Sequence, residues 1–164
     1  MLFPPKQVFE AGSIGKHPRM GSFRYRERMS STPPRGAMAI ITNSHGKYLL
    51  HLRDDIPGIV WPGHWSVLGG GCDPGETPRQ TIVRELREEA GLLLTDLVEL
   101  YRTPDLHGSG QLLTFFAAHW DGDAGSLELN EGQELGWFSP EQLDDLTIPA
   151  FVRRILHHHA ATKE

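Results

Sequence analysis

Between residues 37 and 53 the chain runs through two apolar stretches, "AMAIIT" and "KYLLHLR", separated by Asn43-Ser44-His45-Gly46. Short apolar runs bounded by turn-forming residues predict strands, here over 37–42 and 47–53, joined by a tight hairpin turn. A loop, "DDIPGIVWPGHW", follows with two Pro-Gly pairs, and "SVLGGG" then predicts a short strand entering a glycine-rich turn. Further strands are expected over 97–103 and 111–120, and in a segment carrying Trp137 and Phe138. "SPEQLDDL" and "IPAFVRRILHHH" both open with Ser or Pro start signals and predict helices. Strands and helices alternate without a regular βαβ repeat. The pattern therefore favours an α+β sandwich over a doubly wound sheet.

The polar counterpart of these runs is one helix. Thr77 is a suitable N-cap, Pro78 fits the first turn, Gln80 can complete a capping box, and Gly91 can end the helix in a left-handed conformation. Residues 78–90 should be helical. At about 100° per residue, Ile82, Val83, Leu86 and Ala90 share an arc that can face a core. Glu85, Glu88 and Glu89 share an adjacent one. Like charges at this spacing destabilise a helix unless something positive stands between them. Carboxylates so placed can share a hard cation, and Mg²⁺, which takes a few carboxylates together with waters and phosphate oxygens, suits an open helix face. Arg84, beside Glu85 and four residues before Glu88, can orient a ligand carboxylate by paired hydrogen bonds.

Composition narrows the alternatives. A chain of 164 residues supports one domain. Residues 1–35, rich in Gly, Pro, Ser and Arg, read as an N-terminal extension, in which the alternating "FRYRER" predicts an additional strand; residues 36–164 read as the domain. The formal charge of −5 argues against a nucleic-acid polymer as partner. An anionic small molecule would need a bridging cation. Cys72 is the single cysteine, which excludes an intrachain disulfide, and the N-terminus lacks a secretory h-region. A cytoplasmic setting is expected. No apolar run approaches the roughly 18 residues needed to span a bilayer, so no membrane role is expected. Nothing in the pattern separates a monomer from a homodimer.

An acidic helix balanced by Arg79, Arg84 and Arg87 is ordinarily a solvated face. Here Gly70, Glu76, Arg84, Glu85, Leu86, Glu88, Glu89, Gly91 and Leu92 together fit G-x5-E-x7-R-E-U-x-E-E-x-G-U, where U is aliphatic. Seven fixed positions coincide by chance with odds on the order of 10⁻⁸ per starting point. The segment resembles the box of the Nudix hydrolase family, without departure at any fixed position. The resemblance implies an α/β/α sandwich around a mixed sheet and a divalent metal, Mg²⁺ with Mn²⁺ as a substitute. It implies that Glu85, Glu88 and Glu89 are metal ligands, that Arg84 orients them, that Glu76 is an outer support, and that Gly70 lets the backbone approach the metal. Downstream, "NEGQELGWF" is similar to the segment that in nucleoside triphosphatases of the family holds a distal metal-binding or base glutamate, here Glu131, with Glu134 as its nearest competitor.

The implied reaction is attack of water on phosphorus in a diphosphate linkage of a nucleoside triphosphate or another nucleoside diphosphate derivative. A nucleotide sugar or non-nucleotide diphosphate, and a sensing domain that binds nucleotides without turnover, stand as alternatives. Trp61 and Trp65 can stack on a base, and His64 between them can meet phosphate or sugar. Phe151 can stack as well. It follows Pro149-Ala150, near where the family's 8-oxoguanine-nucleotide hydrolases carry a purine-reading Asn, so no strong preference for 8-oxo-dGTP is expected. Leu68 stands where the family usually has a proline before its glycines, which predicts a different loop shape. The terminal histidines 157–159 are expected to be solvated, and Asp54 and Asp55 to be loop acids.

Overall fold

The computed structural model of the protein describes residues 35–163. Within them lie β1 (Arg35–Thr42), β2 (Tyr48–Leu52), β3 (Trp65–Ser66), β4 (Leu68–Gly71), α1 (Pro78–Ala90), β5 (Val98–Pro104), β6 (Leu112–His119), β7 (Glu134–Phe138) and α2 (Ala150–Ala161). Two 3-10 turns occur at Ala124–Ser126 and Pro140–Asp145. The "FRYRER" segment and the boundary near residue 35 lie outside the described residues, apart from Arg35 itself.

β1 is buried on both faces, which is why its sequence is continuously apolar instead of alternating. Ala37, Ala39 and Ile41 pack with Ile82, Leu86 and Ala90 of α1, whereas Met38 and Ile40 pack with Val152 and Leu156 of α2. Successive strand residues point to opposite faces. One strand thus anchors both helices, with the sheet between them, as the α/β/α sandwich requires. The sheet runs β3-β2-β1-β6-β5, with β4 also on β1 and β7 on β2. It is mixed, because β1 and β6 are parallel while the other pairs are antiparallel.

The hairpin between β1 and β2 closes as the turn composition predicts. Gly46 N donates to Asn43 O at 3.0 Å, and the Asn43 side-chain oxygen accepts from His45 N and Lys47 N. α1 carries its capping box, with Thr77 Oγ1 accepting from Gln80 N at 3.3 Å and Gln80 Oε1 accepting from Thr77 N at 2.9 Å. Gly91 ends it at φ 60°, its N–H donating to Arg87 O.

Two expectations change. "SPEQLDDL" carries helix-start signals but forms only the six-residue 3-10 turn, because the chain leaves it to enter the segment before α2. The histidines are not all solvated: His159 is 7% exposed, beneath the Tyr48 hydroxyl 2.9 Å from its Nδ1, while His157 Nε2 meets Asp144 Oδ1 at 3.0 Å and His158 is exposed. Burial pushes His159 down to about 4.

Candidate active site

The acids of α1 are organised by Arg84. Its guanidinium grips Glu76 with two hydrogen bonds, Nε to Oε1 at 2.8 Å and Nη2 to Oε2 at 2.9 Å. Nη1 donates to Glu85 Oε1 at 2.7 Å and to Glu88 Oε2 at 3.0 Å, and Nη2 also reaches Gly71 O. Glu76 additionally accepts from Asp73 N and the Thr81 hydroxyl. The guanidinium first, and these donors next, hold the Glu76 carboxyl down at about 2. A planar fork meeting three carboxylates fixes side chains that would otherwise repel one another.

Glu89 is placed differently. It does not lie beside the packed arc but within it: by helical geometry it stands about 20° from Ile82 around the axis, and it is 4% exposed. Its Oε2 accepts from Gly69 N at 3.0 Å. Burial pushes its carboxyl up to about 8 against that N–H, and the charges of Glu85 and Glu131 add to the rise. Glu85 is likewise raised by burial, against the opposing hydrogen bond from Arg84.

Of the glycines of β4, Gly70 makes room for Glu85 and Gly69 for the backbone of β1. A Cβ at Gly70 would stand 2.6 Å from both the Glu85 Cδ and Oε1, and one at Gly69, whose φ is 142°, would collide with the Ala37 carbonyl. Glu85 and Glu89 open with Gly69, Gly70 and Gly71 onto a cavity of about 280 Å³. Glu131 reaches the same cavity from the loop before β7. That loop is tied to α1 by Asn130 N donating to Glu89 O, and to β2 and the residues after it by Gln133 N to Leu52 O, Gly132 N to Asp54 Oδ2, and His51 Nε2 to Glu131 O. Asp54 is therefore a strut of the loop that carries Glu131.

A model of the NUDIX domain matches residues 32–159. The chain belongs to the Nudix family. Curated Nudix relatives include the CTP pyrophosphohydrolase of Escherichia coli K12, 36% identical over 108 residues that cover 64% of this chain and 76% of that protein. The nucleoside triphosphatase NudI of the same strain is 31% identical over 127 residues, covering 71% of this chain and 89% of its own. The fold agrees with the crystal structure of the MutT protein from Methanosarcina mazei Go1, at TM-score 0.63 and 24% identity over 81% of this chain and 96% of that one. As a Nudix hydrolase the chain is a diphosphatase, an enzyme that cleaves phosphorus anhydrides.

Within this Nudix site the expected residues separate into groups. Glu85, Glu89, Glu131, Gly70, Trp61 and Phe151 share the cavity. Glu88 is outside its lining, its half-exposed side chain turned to Arg84. Glu134 is exposed on β7, also outside the lining. Trp65 packs edge-on against Phe138 at 4.7 Å and donates its backbone N–H to Thr147 O, so it belongs to the core on the α2 face. His64 is turned back on its own loop, with Nδ1 2.7 Å from Pro62 O and its ring 5.6 Å from that of Trp61. Neither reaches the cavity. Among the described residues, no three His, Cys, Asp or Glu side chains are close enough to hold one ion, and Arg84 occupies an oxygen of Glu85 and of Glu88.

The donor set nonetheless fits Mg²⁺, which commonly uses one or two carboxylates and completes its shell with waters and substrate phosphates. Glu85 and Glu89 supply two, lodged against the glycine backbone and raised by burial; Glu85 is paired with Arg84 outside the cavity, and Arg53 is the cation in the cavity lining. Arg53, Asp105, Ser109 and Gln111 also line the cavity and were not legible as site residues. Arg53 read as the last residue of one strand and Gln111 as the first of another, and the segment holding Asp105 and Ser109 carries no site signal.

Proposed function

We propose that this Nudix enzyme hydrolyses nucleoside triphosphates at a diphosphate linkage in a Mg²⁺-dependent reaction, in a cytoplasmic setting. The observation that carries the reading is a single cavity joining the carboxylates of Glu85, Glu89 and Glu131 to the guanidinium of Arg53 and the aromatic rings of Trp61 and Phe151. Acids, a phosphate-binding cation and flat apolar surface are the three things a nucleotide's metal, phosphates and base require. The names of the CTP pyrophosphohydrolase and nucleoside triphosphatase relatives support the same substrate class.

Glu85 and Glu89 would hold Mg²⁺, with Glu88 as a further ligand at the helix surface. Bound there, the ion would neutralise phosphate charge, polarise a phosphoryl oxygen and acidify water. Arg84 acts as a positioning residue, since it touches the acids and not the cavity. Arg53, fixed by its Nε donating to Val60 O at 2.7 Å, presents positive charge to the phosphates. Glu131 works from a separate loop as acceptor of the proton lost by the attacking water.

The test is product analysis with and without Mg²⁺ over ribonucleoside and deoxynucleoside triphosphates, 8-oxo-dGTP and nucleotide sugars. Nucleoside monophosphate and pyrophosphate are the products expected, with 8-oxo-dGTP favoured over dGTP by less than about a hundredfold. Cleavage of nucleotide sugars with triphosphates untouched would overturn the substrate class. Tight nucleotide binding without turnover would replace the enzyme by a sensing domain.

A further inference from the structure

The carboxylate of Glu131 is exposed and makes no hydrogen bond or ion pair among the described residues, so no bond of its own fixes where it points. What is fixed is the peptide group that follows it. Its carbonyl, Glu131 O, lies 2.8 Å from Nε2 of His51, and its N–H, that of Gly132, donates to Asp54 Oδ2 at 3.2 Å. One planar unit is thus gripped at both ends. A carbonyl only accepts, so His51 Nε2 carries the proton and Nδ1 is left with a lone pair. That lone pair has no partner among the described residues and almost no contact with solvent. Gly132 completes the fit. Its φ is 86°, and a Cβ there would collide with His51 Nε2, so the imidazole lies directly against the glycine backbone.

His51 is 3% exposed in β2, between Leu50 and Leu52, and stands opposite Ser66 of β3 and Leu135 of β7. A strand position so buried ordinarily takes an apolar side chain, and an imidazole with an unpaired nitrogen costs stability there. Leucine would serve the packing and the pairing of β2 equally well, so these do not account for the ring. The bond to Glu131 does. His51 is outside the cavity lining, so any effect on the chemistry passes through Glu131, which is inside it. We infer that His51 is a positioning residue for hydrolysis: its Nε2–H orients the peptide group between residues 131 and 132, and that group aims the otherwise unbonded Glu131 carboxylate into the cavity shared with Glu85 and Glu89. The neighbouring bonds, Gln133 N to Leu52 O and the Gln133 side chain to Arg53 O, end on backbone carbonyls and do not need the ring. Changing residue 51 therefore tests the direction of Glu131 with the rest of its loop still held. The inference rests on Glu131 as proton acceptor and adds the residue that sets its aim.

His51→Leu keeps an apolar side chain and removes the donor. His51→Gln puts an amide N–H near the place of Nε2, and His51→Asn carries the same amide one carbon short of it. Each is made alone and together with Glu131→Gln. With Mg²⁺, kcat and KM are measured on whichever triphosphate or nucleotide sugar the parent turns over best, alongside Tm. His51→Leu and His51→Asn should lower kcat about tenfold or more with KM within about threefold, whereas His51→Gln should keep kcat within about threefold of the parent. In the Glu131→Gln background, His51→Leu should cost less than about twofold, because a group acting through Glu131 has nothing left to act on. A brace of the fold alone gives another pattern. Unaltered kcat in His51→Leu, a kcat that follows Tm and not the donor, or the full His51→Leu loss repeated in the Glu131→Gln background would each overturn the inference. If His51→Leu does not fold, the contrast between His51→Gln and His51→Asn decides. The underlying reading fails separately: unaltered turnover in Glu131→Gln would remove Glu131 as proton acceptor and His51 from the reaction with it, while an impaired Glu131→Gln beside a normal His51→Leu sinks the positioning role alone.

Discussion

Replacing Gly70 by Ala separates the stability of the fold from the geometry of its acids. The new methyl carbon would stand 2.6 Å from the Glu85 carboxylate, which must retreat about 0.8 Å to reach the 3.4 Å at which ordinary contact begins. The Gly70 backbone is not in the left-handed region, so alanine itself is accommodated. The atom it meets is the end of a flexible side chain, which can move without disturbing β4. The stability cost should therefore stay near the low end of overpacking, about 1 kcal/mol, or roughly 2–4 °C in Tm for a chain of this size. Catalysis should suffer far more. A misplacement of about 1 Å can cost on the order of a hundredfold in rate, and Glu85 is tied to Arg84 at 2.7 Å, so its retreat also shifts the guanidinium that aligns Glu76 and Glu88. The experiment pairs Mg²⁺-dependent pyrophosphate release with thermal unfolding on the same preparation. A kcat within about threefold of the parent would refute the placement of Glu85 against Gly70 as a requirement of the chemistry.

Glu131→Gln should lower kcat by about a hundredfold or more with no change in Tm, because the side chain is exposed and only its carbonyl is bonded; turnover unchanged from about pH 6 to pH 9 would remove it from the reaction. His159 is held near 4 by burial, below its ordinary 6.5, so the unfolded chain binds the extra proton between those values. Its contribution is complete above about 6.5 and is lost as pH falls toward 4, by roughly 1–3 kcal/mol. In urea unfolding, the difference between pH 7 and pH 4.5 should shrink by that amount in His159→Gln, and an equal difference in both proteins would count against it. Thr77→Ala removes one half of the capping box and should lower Tm by the equivalent of about 1 kcal/mol, with kcat retained; an unaltered Tm would show that the cap contributes nothing to α1.

Local chemistry was legible where it acts over a few residues. The Thr77–Gln80 cap, the Gly91 stop and the Asn43–Gly46 turn form as read, because each is completed by backbone groups close in sequence. The arrangement of β1 between two helices was only partly legible. An apolar run announces burial, yet which residues face which helix depends on partners far along the chain. Trp61 and Trp65 show the limit most clearly, since both flank the same Pro-Gly-His. One falls in β3 and packs on Phe138, the other in a loop over the cavity, and only the pairing of β3 with β2 separates them. Asp105 was hidden for the same reason. "PDLHGSG" is a good turn, and nothing within it reveals that Trp61 arrives alongside.

The bond from Asn130 N to Glu89 O joins the Glu131 loop to the acidic helix itself. The same loop is braced on its other side by Gly132 N donating to Asp54 Oδ2 and by the Gln133 side chain donating to Arg53 O, two residues that lead into the Trp61 loop. The acids of α1 and the aromatic bank of the cavity therefore share one strap, and a change of length between residues 53 and 64 should be felt at Glu131, so that divergence on one bank of the cavity obliges adjustment on the other.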